Sequence, residues 1–210
     1  MSNATVTDLD LVSIDTASTN LSALTGSGAL ASVVFNTTLD GITVSGDVDG
    51  ATGSTGGLVG QAAQGSVVQN CLSSAFVGVS ANTNSSWVGG LIGQLNGSTL
   101  YRSGASGGVL FVSGIAAASY VGGLLGECKE CTVTEAAATG QVASNGQFVR
   151  VGGLIGADPV SNGGPSTVSD VFATGDVSGG DTTYQVGGLG GFMRNTTFSR
   201  GYATGSVTGY

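Results

Sequence analysis

Val88-Gly89-Gly90-Leu91-Ile92-Gly93 is the stretch that decides the fold, because the chain says it five times. The other copies are Thr55-Gly-Gly-Leu58-Val-Gly60, Val121-Gly-Gly-Leu124-Leu-Gly126, Val151-Gly-Gly-Leu154-Ile-Gly156 and Val186-Gly-Gly-Leu189-Gly-Gly191. Their leucines stand 33, 33, 30 and 35 residues apart. A fixed period of about 20–50 residues marks a solenoid, propeller or array. A second phrase keeps step with the first. With Leu39, Val68, Leu100, Val133, Val168 and Phe198 aligned, a small-residue column follows at Gly46, Ala75, Gly107, Gly140, Gly175 and Gly205. Two residues on comes a valine column of Val48, Val77, Val109, Val142, Val177 and Val207.

Each period therefore holds three extended pieces: the Gly-Gly-Leu phrase, a Ser/Thr-Val piece and an Ala-Thr-Gly-x-Val piece. Turn-prone residues separate them, as in Gln94-Leu-Asn-Gly97 and Ser178-Gly-Gly-Asp181. The reading predicts an all-β, single-stranded β-solenoid (β-helix) of roughly 33 residues per coil and about five to six coils. With strands ~4.8 Å apart, the rod is on the order of 25–30 Å long. Equivalent side chains then stack, so Leu58, Leu91, Leu124, Leu154 and Leu189 form one core column, and Val109, Val142, Val177 and Val207 belong to another. Glycine is expected at corners that need positive φ and where the interior is too narrow for side chains.

Leu91 and Ile92 sit on opposite parities of a strand, which conflicts with one wet face. Either Gly89-Gly90 bends the chain so that both point inward, or one column faces out and is covered by a neighbouring subunit or by residues 1–38. The bend is the preferred reading. Residues 1–38 stand apart as an N-terminal strand, cap or assembly segment, and residues 39–210 carry the repeats. Thr5 to Asp15 alternates with one slip of phase, which predicts a strand with a bulge. Thr16 to Ser32 reads as loop or cap.

Composition excludes several classes. The chain has 210 residues, 39 of them glycine, only 9% charged and 40% hydrophobic. Glycine lacks the strict three-residue period of collagen and there are only two prolines. So much apolar content with so few charges argues against disorder, and so much glycine argues against helix. The net charge is −8, with Lys129 and four arginines the only cations, so neither nucleic acid nor anionic lipid is an expected partner. No apolar run approaches a membrane span. The first residues lack a cationic and apolar signal segment, which suggests a mature or excised piece or another export route.

The repeat resembles the GLUG motif, named for its Gly-Leu-aliphatic-Gly core. The likeness spans residues 39–210 and rests on the Gly-Gly-Leu-aliphatic-Gly phrase and the downstream Ala-Thr-Gly-x-Val. The fifth copy departs with Gly190 in the aliphatic position, and the first has Thr55 in place of the leading valine. The resemblance implies a β-solenoid segment of a secreted or surface protein, as in large bacterial adhesins and the non-catalytic part of immunoglobulin-A-cleaving metallopeptidases. No catalytic residues or cofactors travel with the motif.

Chemistry is sparse. The absence of histidine removes the usual Ser–His and Cys–His pairs and the His-Glu-x-x-His zinc motif, so no enzyme activity is expected. Cys128-Lys-Glu-Cys131 offers two zinc ligands, and Cys71 lies at another offset in another repeat. It reads as a corner carrying free thiols or a local disulfide, with an intermolecular bond as a lesser alternative. Glu127, Glu130 and Glu135 near Lys129 read as a solvated edge. Asp47 and Asp176 share a column four coils apart. Thr139, Thr174 and Thr204, with Ser106, form a hydroxyl column of the kind that suits ice or polysaccharide. Asn-x-Ser/Thr at Asn3, Asn20, Asn36, Asn84, Asn96 and Asn195 weakly supports an extracellular setting.

The leading expectation is a non-catalytic structural or interaction protein outside the cell: an adhesin stalk or a self-assembling filament or sheath subunit. The chain ends on repeat sequence without a polar cap, which exposes strand edges and favours end-to-end or lateral self-association. A surface glycan or a host protein is a further possible partner. The alternative is a carbohydrate-binding or carbohydrate-cleaving β-helix. Its best platform is Trp87 and Tyr120, which precede the valines of consecutive copies; edge packing explains the same pair.

Overall fold

A computed structural model describes residues 1–15, 26–81, 85–114, 116–159 and 163–209. The chain is a parallel β-solenoid, and no helix occurs among the described residues. Every turn contributes to three sheets. A leading arm (Ser86–Gly89 in one turn) runs into a trailing arm (Ile92–Asn96), and each arm stacks six strands deep. The chain then turns into a broad 16-stranded sheet, where Thr99–Tyr101, Gly104–Ala105 and Val109–Ser113 follow one another.

The register matches the sequence alignment. Leu39, Val68, Leu100, Val133, Val168 and Phe198 pair in series, as do Val48, Val77, Val109, Val142, Val177 and Val207. Leucine sits over leucine: the Leu91 amide donates to Leu124 O at 3.1 Å, and Leu124 to Leu154 O at 2.9 Å.

The parity conflict resolves as a bend. The chain breaks strand geometry at Gly90-Leu91, and both Leu91 and Ile92 are fully buried in one core. The same holds for Leu58 and Val59, Leu124 and Leu125, and Leu154 and Ile155. Four turns thus each sink two large aliphatics, each contributing about 1.5–3 kcal/mol.

The glycines of the phrase create room rather than unusual torsions. A Cβ on Gly89 or Gly122 of the leading arm would fall under 3.0 Å from backbone atoms of the trailing arm. A Cβ on Gly93 or Gly156 would meet the leading arm in the same way. The two arms approach backbone to backbone. The second glycine faces the broad sheet, where a Cβ on Gly90, Gly123 or Gly188 would fall 2.9–3.0 Å from the Cβ atoms of Ala105, Ala138 and Ala203. That contact explains the alanine of the Ala-Thr-Gly phrase. The glycine of that phrase lies beneath a carbonyl, with Gly140 under Gly107 and Gly175 under Gly140.

The expectation that the repeated glycines supply corners with positive φ needs correction. Two bends per turn do have positive φ, and mostly non-glycine residues occupy them. Asp8, Gly41, Asn70, Arg102, Glu135, Asp170 and Arg200 form one such column, with φ between 46 and 67°. Asn3, Asn36, Gln64, Gly97 and Glu130 form the other, between 44 and 55°.

The described parts of residues 1–38 lie in the same ladders. Thr5–Thr7 pairs with Thr38–Asp40, Asp10–Asp15 with Thr43–Gly50, Gly26–Ser27 with Gly53–Gly56 and Ala31–Phe35 with Val59–Ala63. The slip of phase is physical: Asp8 has φ 51°, and the register shifts between Leu11 and Ile14. Most of the Thr16–Ser32 loop reading, with Asn20, Asn84 and Tyr210, lies outside the described residues.

Candidate interaction surface

On the leading arm Ser54, Trp87, Tyr120, Arg150 and Gln185 occupy one column at successive levels. Trp87 and Tyr120 are half-buried, in-register neighbours. The level above adds what their spacing alone did not reveal. The Arg150 guanidinium lies 5.1 Å from the Tyr120 ring centroid, 5.9 Å from Tyr184 and 4.4 Å from Phe192, all within cation–π range. Its Nε donates to Gln185 Oε1 at 2.9 Å. Beside it, Ala118, Phe148, Arg150 and Tyr184 line an open cleft of about 390 Å³.

Arg102 and Arg200 are spent differently. Arg102 Nε meets Glu135 at 2.9 Å. Arg200 holds Asp170 with two hydrogen bonds of 2.6 and 2.7 Å, which keeps the Asp170 carboxyl below its usual range. Both pairs lie along the exposed positive-φ column, where water screens them and each adds little to stability. Asp40 sits next to that column and accepts from Asn70 and Gln69, which holds its carboxyl low.

Of the acidic cluster, Glu130 and Glu135 are exposed as expected, and Glu127 is not. Glu127 lies on the trailing arm in register with Gln61 and Gln94, and is only 5% exposed. Gln61 Nε2 donates to Gln94 Oε1 at 2.7 Å, and Gln94 Nε2 donates to Glu127 Oε2. Burial pushes the Glu127 carboxyl up, partly offset by Gln94 and Lys129. Glu130 is exposed at the corner, and Glu135 is the partner of Arg102. Asp158, one level above Glu127, is also raised by burial and accepts from Thr196 Oγ1.

Cys128 and Cys131 are bonded as a disulfide across the corner from trailing arm to broad sheet, with Cα atoms 5.6 Å apart. Cys131 takes the place of a hydroxyl in a buried column: Ser66 Oγ accepts from the Thr37 amide, Ser98 Oγ from Ser66, and Ser166 Oγ from Cys131 itself. Cys71 is buried in another column, and burial pushes its thiol up. Among the described residues no cluster of three metal-ligating side chains occurs.

The hydroxyl column extends further than expected, with exposed Ser74, Ser106, Thr139, Thr174 and Thr204 at successive levels. Next to it lies a shallow groove of about 400 Å³ floored by Gly104 and Ala137. Leu72, 56% exposed, occupies one end of the floor column. Phe172 and Tyr202, stacked at 5.4 Å, continue that column beyond the groove. Sequence reasoning missed this row because its members share no residue type.

The chain matches no protein-family profile. It matches no curated protein either. A solved structure described as an IgA1 protease is similar in fold, with a TM-score of 0.52 and 20% identity. The match covers 85% of this chain and 14% of that one. At such identity the likeness is one of fold, and a β-solenoid related in architecture makes up a small part of that larger protein.

Proposed function

We propose that the chain is a non-catalytic β-solenoid rod of the cell surface or extracellular space, acting as an adhesin stalk or self-assembling filament subunit of the GLUG-like kind. The observation that carries this reading is the stacking of equivalent residues from turn to turn among the described residues, which commits the sequence to building a rod. The Cys128–Cys131 disulfide supports an oxidising compartment. The similarity in fold to a small part of an IgA1 protease supports a role as one part of a larger protein.

Self-association belongs to this reading because parallel strands that stack turn on turn within one copy can pair in the same way with strands of a second copy. Sedimentation velocity and electron microscopy of the purified chain test the idea. Concentration-dependent end-to-end association, suppressed by Val207→Lys, is the expected result. A monodisperse monomer at high concentration contradicts the assembling version.

A further inference from the structure

We infer that the cleft beside Arg150 is a binding site for a carboxylate-bearing sugar, a uronate or a sialate, at the end of a glycan. Three independent observations converge there. The first is electrostatic. In a chain of net charge −8 with five cations, Arg102 and Arg200 pair with carboxylates. Arg150 instead binds a neutral amide through Nε, and among the described residues no carboxylate lies within ion-pair distance of it. Its two Nη groups are left to serve as a bidentate donor for a planar anion.

The second is shape and chemistry. Tyr120, Tyr184 and Phe192 hold the guanidinium in place, and Phe148 and Tyr184 stand beside it with ring centroids 6.3 Å apart, tilted at 52°. The cleft of about 390 Å³ falls in the size range of small-ligand sites. A cation flanked by aromatic faces recognises a ring that is apolar on one face and anionic at its rim.

The third is strain. Phe148 has φ 54° and is 53% exposed. Among the described residues ten other non-glycine residues have positive φ, all polar or charged and all in the two bend columns. Phe148 alone is apolar and belongs to neither. A bulky residue in this region is an outlier that persists where function holds it. The register against Ala116–Gly122 shifts beside this residue, which the torsion accommodates, whereas exposing the ring adds nothing to the core.

The test is calorimetric titration of the intact chain with hexagalacturonate, its methyl ester, 3′-sialyllactose, lactose and polyglutamate. One of the two acidic sugars should bind, which also tells uronate from sialate, and the ester or lactose should bind at least about ten-fold more weakly. Arg150→Gln should cost at least about ten-fold in affinity. Phe148→Gly should cost a similar factor while raising Tm, because glycine accepts the torsion. The proposal is overturned if no acidic sugar binds at about 10 mM, if neutral sugars bind as well, or if polyglutamate binds equally without needing Phe148. A Phe148→Gly chain that loses Tm and keeps its affinity also overturns it. That variant keeps the question open to refutation even if Arg150→Gln fails to fold.

Discussion

The rod bends in two ways, and the difference between them explains what each part of the sequence is for. Between the arms, Gly90-Leu91 and its equivalents turn the chain where backbones touch, so the flanking glycines admit no Cβ. On the broad sheet, Asn70, Arg102, Glu135, Asp170 and Arg200 turn it through positive φ at the surface, with room for any side chain. The first bend is limited by space and the second by torsion. Space enforces a residue type absolutely, whereas a single positive-φ torsion costs about 1–2 kcal/mol, which a stacked ladder tolerates.

The largest effect should come from violating space. Gly122→Ala places a Cβ under 3.0 Å from Gly156 N, in a wall with no flexible side chain to give way. We expect at least about 4 kcal/mol of destabilisation or no folded chain, read from expression and urea unfolding. A loss below about 1 kcal/mol would mean that the arms are not in contact.

Next comes a level where the phrase departs from its own pattern. Thr55 stands in the column of Val88 and Val121, and its buried Oγ1 lacks a hydrogen-bond partner. Thr55→Val should stabilise by about 1–2 kcal/mol, raising Tm by roughly 2–6 °C. A fall in Tm would show that the hydroxyl is satisfied.

Glu127 provides a pH-dependent test on the arm side. Its folded carboxyl titrates above the ordinary 4.5, so between these values the folded state holds a proton that the unfolded chain has released. Stability must therefore fall as pH rises through that window. Asp158, raised from 3.8, acts in the same direction. Glu127→Gln removes the charge and extends the amide ladder of Gln61 and Gln94. It should raise stability near neutral pH by about 1 kcal/mol and flatten the profile. A variant less stable at pH 7 than the parent contradicts the burial argument.

The smallest effect should come from the torsional bend. Asn70→Gly relieves a φ of 54° and loses an exposed hydrogen bond to Asp40. The change should lie within about 1 kcal/mol of zero. A loss comparable to that of Gly122→Ala would erase the distinction between the two bends.

That distinction also decides what was legible in the sequence. Columns enforced by space repeat literally, so the solenoid, its period, its register and the inward turn at Leu91-Ile92 are readable from residues alone. The positive-φ columns are not, because Asp8, Asn70, Arg102 and Asp170 share a torsion and nothing else. Glu127 misleads because its neighbours Lys129 and Glu130 suggest a charged edge, whereas its register partners Gln61 and Gln94 set its environment. Trp87 and Tyr120 are visible as a pair. The Arg150 cage gathers Tyr184 and Phe192 from the next turn, at offsets that no repeated phrase announces.

The stacking itself can be measured with spin labels at Ser74→Cys and Thr204→Cys, exposed positions in one column and four levels apart. Four steps of ~4.8 Å put their backbones about 19 Å apart, so pulsed dipolar spectroscopy should give a narrow distribution near that value. A broad distribution, or one centred beyond about 30 Å, would mean that successive repeats do not lie one on another.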